Sequence, residues 1–319
     1  HIMSNLVVKD NALINASYNL DLVEQRLILL AIIEARQSGK GINANDPLTI
    51  HAESYINQFN VHRNTAYQAL KDACKDLFAR QFSYQEQRPK GIANITSRWV
   101  SQIAYIDNTA SVELIFSPAI IPLITRLEKH FTSYEMKQIS YLSTGYAVRL
   151  YEILIAWRST GKTPIIELTE FRKQIGVLDT EYNRMHDFKK RVLDPSIKQI
   201  KEHTDITVEV EQHKTGRFIT GFSFRLKQKK SANKQLINTI DSNTVDLFSK
   251  MTDAQRHMFA NKLSELTEMG KYSQGTESYQ QFAVRIAEML QDPDNFKELY
   301  PYLKKVGYMP ENKKDLVNG

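Results

Sequence analysis

A single cysteine, Cys74, in 319 residues rules out an internal disulfide framework and a cysteine metal cluster. Long apolar runs are missing too. The richest, LILLAIIEA at 27–35, is far too short to span a bilayer, so no membrane partner is expected. No signal peptide is read, because residues 4–21 mix Asn, Lys and Asp with their apolar residues, and His1-Ile2 ahead of Met3 read as a cloning remnant. A reducing cytoplasm is the expected compartment. The eight histidines include no His-apolar-His triplet, which a metal-dependent nicking nuclease would carry; His51, His62, His186 and His203 are expected at element ends. Glu209 and Glu211 share one side of a strand and read as a solvated face, not a catalytic pair. STGKT at 159–163 has Ala156 where a phosphate loop needs its first glycine, and a helix where it needs a strand. No catalytic set, metal site or cofactor is therefore expected.

What is present is an ordinary globular balance, 42% hydrophobic and 24% charged, with length for roughly two or three domains. The net charge of +6 is unevenly spread. Counting Lys and Arg against Asp and Glu gives +1 for residues 1–131, +6 for 132–230 and −1 for 231–319. A basic middle third suits nucleic acid, an anionic membrane or an acidic protein, and charge alone does not choose among them.

The order of elements is more selective. DLVEQRLILLAIIEAR (21–36) predicts a helix capped by Asp21, with Leu22, Leu27, Leu30 and Ile33 favouring one side. PLTIHA reads as a strand, AESYINQF as a short helix, and HRNTAYQALKDACKDLFA as a longer one with Tyr67, Leu70, Cys74 and Leu77 along one side. The period then becomes two: FSYQ, a turn at Arg88-Pro89-Lys90-Gly91, ITSRWVSQIAYI, a turn at Asp107-Asn108, and SVELIF. Helix, strand, helix, helix and antiparallel ribbon is the order of a winged helix-turn-helix. A second copy follows: STGYAVRLYEILIAWRSTGK, TPIIEL, TEFRKQIG, DFKKRVLDPSIKQIKEH, and a hairpin ITVEVEQ–HKTGR–FITGFSFRL. Arg36, Gly39 and Lys40 match Arg158, Gly161 and Lys162 at a spacing of 122, and Pro47 and Glu53 match Pro164 and Glu170 at 117. The predicted fold is α+β, two tandem winged-helix domains (3–131 and 132–228), a linker (229–242) and a small all-α C-terminal region (243–319).

On a helical wheel from Phe188, Lys190, Arg191, Asp194, Lys198 and Lys201 fall on one side, and Phe188, Val192, Leu193, Ile197 and Ile200 mainly on the other. An exposed basic side is what phosphate contact requires. Pro195 predicts a kink, or a fresh start with Asp194 as cap. The hairpin tip adds Lys214, Thr215, Gly216 and Arg217. In the first copy Arg63, Asn64, Gln68, Lys71 and Lys75 lie outside the apolar stripe, its wing is read as carrying Arg88 and Lys90, and Arg98 follows. Arg to guanine and Asn or Gln to adenine are pairings that read sequence directly.

NASYNLDLVEQRLILLAIIEAR, HRNTAYQALKDACKDLFARQFSY and ITSRWVSQIAYID in the first copy carry a resemblance, as do YAVRLYEILIAWRSTGKTPIIELTEFRKQIGV and FKKRVLDPSIKQI in the second. Over residues 3 to 228 the chain resembles the replication initiators of iteron-containing bacterial plasmids, the RepA/RepB/RepE family, most of all the Acinetobacter RepB type and Rep proteins of related bovine circular DNAs. The resemblance implies a monomer on directly repeated origin DNA that helps melt the adjacent duplex and recruits the host initiator and replicative helicase. It also implies a homodimer on an inverted repeat, repressing its own gene, with dimerisation through strands around 80–116. By resemblance the second domain's reading helix takes in Asn183, Arg184, Lys189, Lys190 and Arg191. A winged-helix transcriptional regulator is the alternative, and a relaxase or recombinase a third class that the missing catalytic set opposes.

Overall fold

The computed structural model describes residues 5–39, 44–125, 131–229, 251–273 and 277–308. Residues 5–229 form one compact unit, and the helices between 251 and 308 belong to another. The central helix of the first copy, α2 (Leu22–Ser38), starts on a reciprocal cap. Glu24 N–H donates to Asp21 Oδ1 and Asp21 N–H to Glu24 Oε2, both at 2.8 Å, and the helix stops at left-handed Gly39. Its apolar side is not a single stripe. Leu27, Ile28, Leu29, Ala31, Ile32 and Ile33 are all buried while Leu22 and Leu30 are half-buried, because neighbours pack around it on several sides.

Strand β3 (Leu48–His51), helix α3 (Ala52–Phe59) and helix α4 (Arg63–Ala79) follow as the sequence predicts. The ribbon does not. ITSRWVSQIAYI is two strands in two sheets: β5 (Gly91–Arg98) pairs with β4 (Gln81–Arg88), and β6 (Val100–Ile106) pairs with β7 (Ser111–Phe116). Trp99 divides them. Its indole is fully buried against the rings of Tyr18 and Phe82, each 4.8 Å away, and burying so large a ring takes the residue out of either ladder.

In the second copy α6 (Gly145–Ile155) is capped by Thr144 and ends well before Lys162. Residues 159–163 form the turn after it, tied to the last strand through Thr163 N–H to the Phe224 carbonyl at 3.0 Å. β9 (Ile166–Glu167) and α7 (Leu168–Gln174) lead to a helical run from Met185 to His203, then β10 (Ile206–Thr215) and β11 (Phe218–Gln228).

Strand order confirms the duplication and corrects one assignment. The second copy's sheet runs β9–β11–β10, and the matching sheet in the first runs β3–β7–β6. The first copy's wing is therefore β6–β7. The β4–β5 hairpin, with Arg88 and Lys90 at its tip, is an insertion that pairs instead with the short strand Ser17–Tyr18.

The copies are joined by buried chemistry. Strand Leu6–Asp10 pairs with Phe131–Glu135, which contains the expected 131/132 boundary. Lys9 Nζ lies 2.7 Å from Glu152 Oε2, and Arg149 Nη1 lies 3.0 Å from Glu152 Oε1. Arg149 also donates to the carbonyls of Ile14 (2.7 Å), Ala16 (3.2 Å) and Gln174 (2.9 Å), so one guanidinium ties both copies together. Burial alone pushes the Glu152 carboxyl up, but Lys9 and Arg149 overcome it and hold it below the ordinary value.

The C-terminal unit has its own core, built by helices Asp253–Ser264, Tyr279–Met289 and Pro293–Lys305 around Phe282, Ile286, Phe296 and Leu299. Residues 230–250, where most of the expected linker and the start of VDLFSKM fall, lie outside the described residues. Among the described residues no helix is long and apolar enough to cross a membrane.

Candidate nucleic-acid interface

A long basic surface element is the helical run Met185–His203. It enters from a loop folded around Arg172, whose guanidinium donates to the Tyr182 carbonyl at 3.0 Å and to that of Glu181, and stacks 5.2 Å from the Phe188 ring. Sequence reasoning missed Arg172, since an arginine in a short amphipathic helix gives no signal that it will clamp the following loop. Tyr182, held at φ +47, then turns the chain toward Arg184, which begins the helix.

The helix carries a π turn at Lys189–Leu193 between the α-helical pieces Met185–Phe188 and Asp194–His203. Asp194 N–H donates to the Lys189 carbonyl, five residues back. Pro195 has no N–H to offer and sits in the first turn of the following piece. Ser196 Oγ donates to the Val192 carbonyl at 2.6 Å, adding a partner where the ladder is interrupted. The backbone thus continues in helical conformation through Leu193 and Asp194, with no side-chain cap from Asp194.

Facing matches the sequence reading. Phe188, Val192, Leu193, Ile197 and Ile200 are buried; Asn183, Arg184, Lys190, Arg191, Lys198 and Lys201 are exposed, and Lys189 is half-buried. A shallow groove beside the helix is lined by Met185, His186, Lys189, Lys190, Pro195 and Lys198, with Asp194 as its acidic member. Among the described residues the only side-chain ion pair on these cations is Lys198 with Glu202, at 4.0 Å. The charge is presented outward.

The neighbouring hairpin turns in two residues, Gly216 and Arg217, since Thr215 still pairs with Phe218. Gly216 takes φ +62 at the first turn position, which a tight hairpin of this kind favours. Lys214 therefore belongs to β10, beyond a bulge at His213, and both Lys214 and Arg217 are exposed.

The first copy brings its candidates together differently. Arg63 Nη2 lies 2.7 Å from Glu53 Oε2, and its other terminal nitrogen donates to Tyr67 Oη at 3.1 Å. Gln68 donates to Asp72 at 2.9 Å. Lys71 pairs with Asp107 in the wing, a contact that raises its ammonium above the ordinary lysine value. Arg88 reaches Glu86 at 3.3 Å, and Arg98 donates to the Phe78 carbonyl at 2.7 Å. Asn64, Lys75 and Lys90 are exposed without such an ion pair among the described residues.

Comparison with known proteins agrees with this architecture. The family model described as "Initiator Replication protein, WH1" matches residues 6–155, and "Initiator Rep protein, WH2" matches 167–226. An Escherichia coli replication initiation protein is 24% identical over 251 residues, covering 77% of this chain and 76% of that protein. The crystal structure of Pi initiator protein in complex with iteron DNA matches with a TM-score of 0.59 at 21% identity, over 72% of this chain and 100% of that one. The crystal structure of the WH1 domain of a replication protein isolated from a multiple sclerosis patient is 82% identical, covering 38% of this chain and 93% of that one, with a TM-score of 0.33. With two winged modules in this order, and both halves of the family matched across most of residues 5–229, the chain belongs to the initiator replication protein family.

Proposed function

We propose that this protein is a sequence-specific DNA-binding initiator of plasmid replication that reads directly repeated origin sites. The observation that carries the reading is the helix Met185–His203, which buries its apolar stripe and leaves Lys190, Arg191 and Lys201 exposed without an ion pair among the described residues. Cations held outward on a helix beside a basic hairpin form an electrostatic footprint for duplex DNA. Two such modules in one compact unit suit successive major grooves, so one chain would read on the order of 20 base pairs without a palindrome. The site residues then divide by role. Asn183, Arg184, Lys189, Lys190 and Arg191 approach base edges, Lys198, Lys201, Lys214 and Arg217 hold phosphates, and Arg63, Asn64, Gln68, Lys71 and Lys75 supply a weaker second reading.

Opening of the adjacent duplex, recruitment of the host initiator and replicative helicase, and repression of its own gene as a homodimer complete the proposal. The inserted β4–β5 hairpin supports a dimer surface, because β5 pairs only with β4 and leaves its other edge unpaired among the described residues. No catalytic step is assigned to the chain.

Selection from a random 40-base-pair duplex pool at physiological salt tests the core of this reading. Enrichment of one nonpalindromic site of about 20 base pairs, bound by one chain, is the expected result. Enrichment only of palindromes bound by two chains would transfer the reading to a transcriptional regulator, and no enrichment would end it.

A further inference from the structure

The two copies provide an internal control for the π turn. The buried residues of α4 are Ala66, Leu70, Ala73, Cys74 and Leu77, at offsets 0, 4, 7, 8 and 11. Those of the second copy's helix are Phe188, Val192, Leu193, Ser196, Ile197 and Ile200, at offsets 0, 4, 5, 8, 9 and 12. Removing one position after Val192 turns the second series into the first. The second helix is the first with one residue inserted, and the π turn is where the extra residue is absorbed.

The consequence is a rotation. At 3.6 residues per turn, Ile197 would lie about 180° around the axis from Phe188, on the wrong side of any single core stripe. Absorbing one residue in an i→i+5 turn brings that separation to about 80°, and both side chains are in fact buried. The same shift acts on the outer face: Lys190 and Lys198 move from about 80° apart to about 20° apart. Superposed on the first copy, Lys190 takes the place of Gln68 and Lys198 that of Lys75.

Resting on the DNA-binding reading above, we infer that this inserted residue is a specificity-determining element. The π turn that absorbs it holds Lys190 about 20° from Lys198 around the helix axis, so that one basic line meets one groove. Pro195 is a positioning residue, because its ring opposes a regular α-helical turn over Arg191. Taking a residue out ahead of Lys190 would let a regular α-helix keep the core, but it would set Lys190 about 80° from Lys198 around the axis, off the shared line.

The test is a matched pair of full-length variants. Deletion of Lys189 together with Pro195→Ala places Phe188, Leu193, Ser196, Ile197 and Ile200 at offsets 0, 4, 7, 8 and 11, the register of α4. Lys189→Ala with Pro195→Ala loses the same cation and the same proline but keeps the residue count. Affinity is measured for the selected site and for a scrambled duplex, with circular dichroism and thermal melts to confirm folding. The deletion is expected to lower the ratio of the two affinities by about tenfold or more below its partner, as losing one base contact does. Equal ratios in the two folded variants would overturn the inference. Hydroxyl-radical footprints of Lys190→Ala and Lys198→Ala give a second answer that does not depend on the deletion folding. Protection lost on one face of the duplex supports the inference, and loss on opposite faces refutes it. A wild-type chain with no preference between the two duplexes sinks the DNA-binding reading first and this inference with it, whereas a preference that survives the deletion sinks this inference alone.

Discussion

The two winged copies share their strand order and, apart from the β4–β5 hairpin inserted in the first and the one residue absorbed by the π turn in the second, their element order and buried helix face. Yet their cations differ in what they touch. In the first copy Glu53, Asp107, Glu86 and the Phe78 carbonyl engage Arg63, Lys71, Arg88 and Arg98. In the second copy Lys190, Arg191, Lys214 and Arg217 stand exposed, with no ion pair among the described residues. Even the wings differ: β6–β7 turns on Asp107, and β10–β11 turns on Arg217. A duplication can thus keep a scaffold intact while a few acidic residues decide which copy presents charge. Exposed pairs of this kind contribute little to stability, so their effect falls mainly on what remains available to a polyanion.

The sharpest way to test what the copies share is to break the cluster that joins them. Glu152→Ala leaves Lys9 and Arg149 buried and unpaired, and should lower the unfolding free energy by about 3–5 kcal/mol in a denaturant melt. Residues 5–229 should lose stability in a single transition, since Lys9 and Arg149 draw partners from both copies. Two separate transitions with only one shifted would show the copies to be independent. The sign of the pH effect follows from the lowered Glu152 carboxyl. Its stabilisation is complete above about 4.5, the ordinary value, and is lost as pH falls below it, so the variant should have a shallower acid limb.

Next in size is the difference itself. Lys190→Ala with Arg191→Ala should weaken binding to the selected site by about two orders of magnitude, if each makes the base contact proposed for it. Arg63→Ala with Lys71→Ala should cost less than about tenfold, because both side chains already have acidic partners. Equal losses in a gel-shift titration would erase the asymmetry between the copies.

Much of this was legible from the sequence, and the rest was not for definite reasons. Helices α3 and α4 fall where periodicity and punctuation place them, because both are decided locally. The outward face of Lys190, Arg191, Lys198 and Lys201 also followed from a wheel. The break at Trp99 did not, since alternation runs unbroken through a residue that leaves one sheet for another. Nor did the wing of the first copy, which is fixed by β3 pairing with β7, 60 residues on in the chain, and not by any turn signal. Pro195 read as a kink or a fresh helix start, and the π turn beside it went unseen, because proline announces a missing donor but not how the chain absorbs it. The pairing of Arg63 and Lys71 was hidden for the same reason as the wing: Glu53 and Asp107 are brought in by tertiary structure.

Single charges make finer cuts. Lys214→Ala should lower affinity a few-fold on every duplex alike and flatten the dependence of log affinity on log salt by about 0.9, the loss of one phosphate contact. A loss confined to one base position would make the hairpin a reader of sequence.

The smallest expected change runs the other way. Asp107→Ala removes the partner of Lys71 from the first copy's wing and should free its ammonium toward DNA. The Lys71 side chain is 38% exposed and its partner 73%, so the pair is well solvated and its loss should barely move the melting temperature. Affinity should rise about twofold while the salt slope steepens by up to about 0.9, because a cation formerly neutralised within the protein now displaces a counterion. The increase should vanish in Asp107→Ala with Lys71→Ala. An increase that persists there would come from removing a negative charge near the duplex rather than from the lysine. The first copy would then differ from the second through its field, not through pairing.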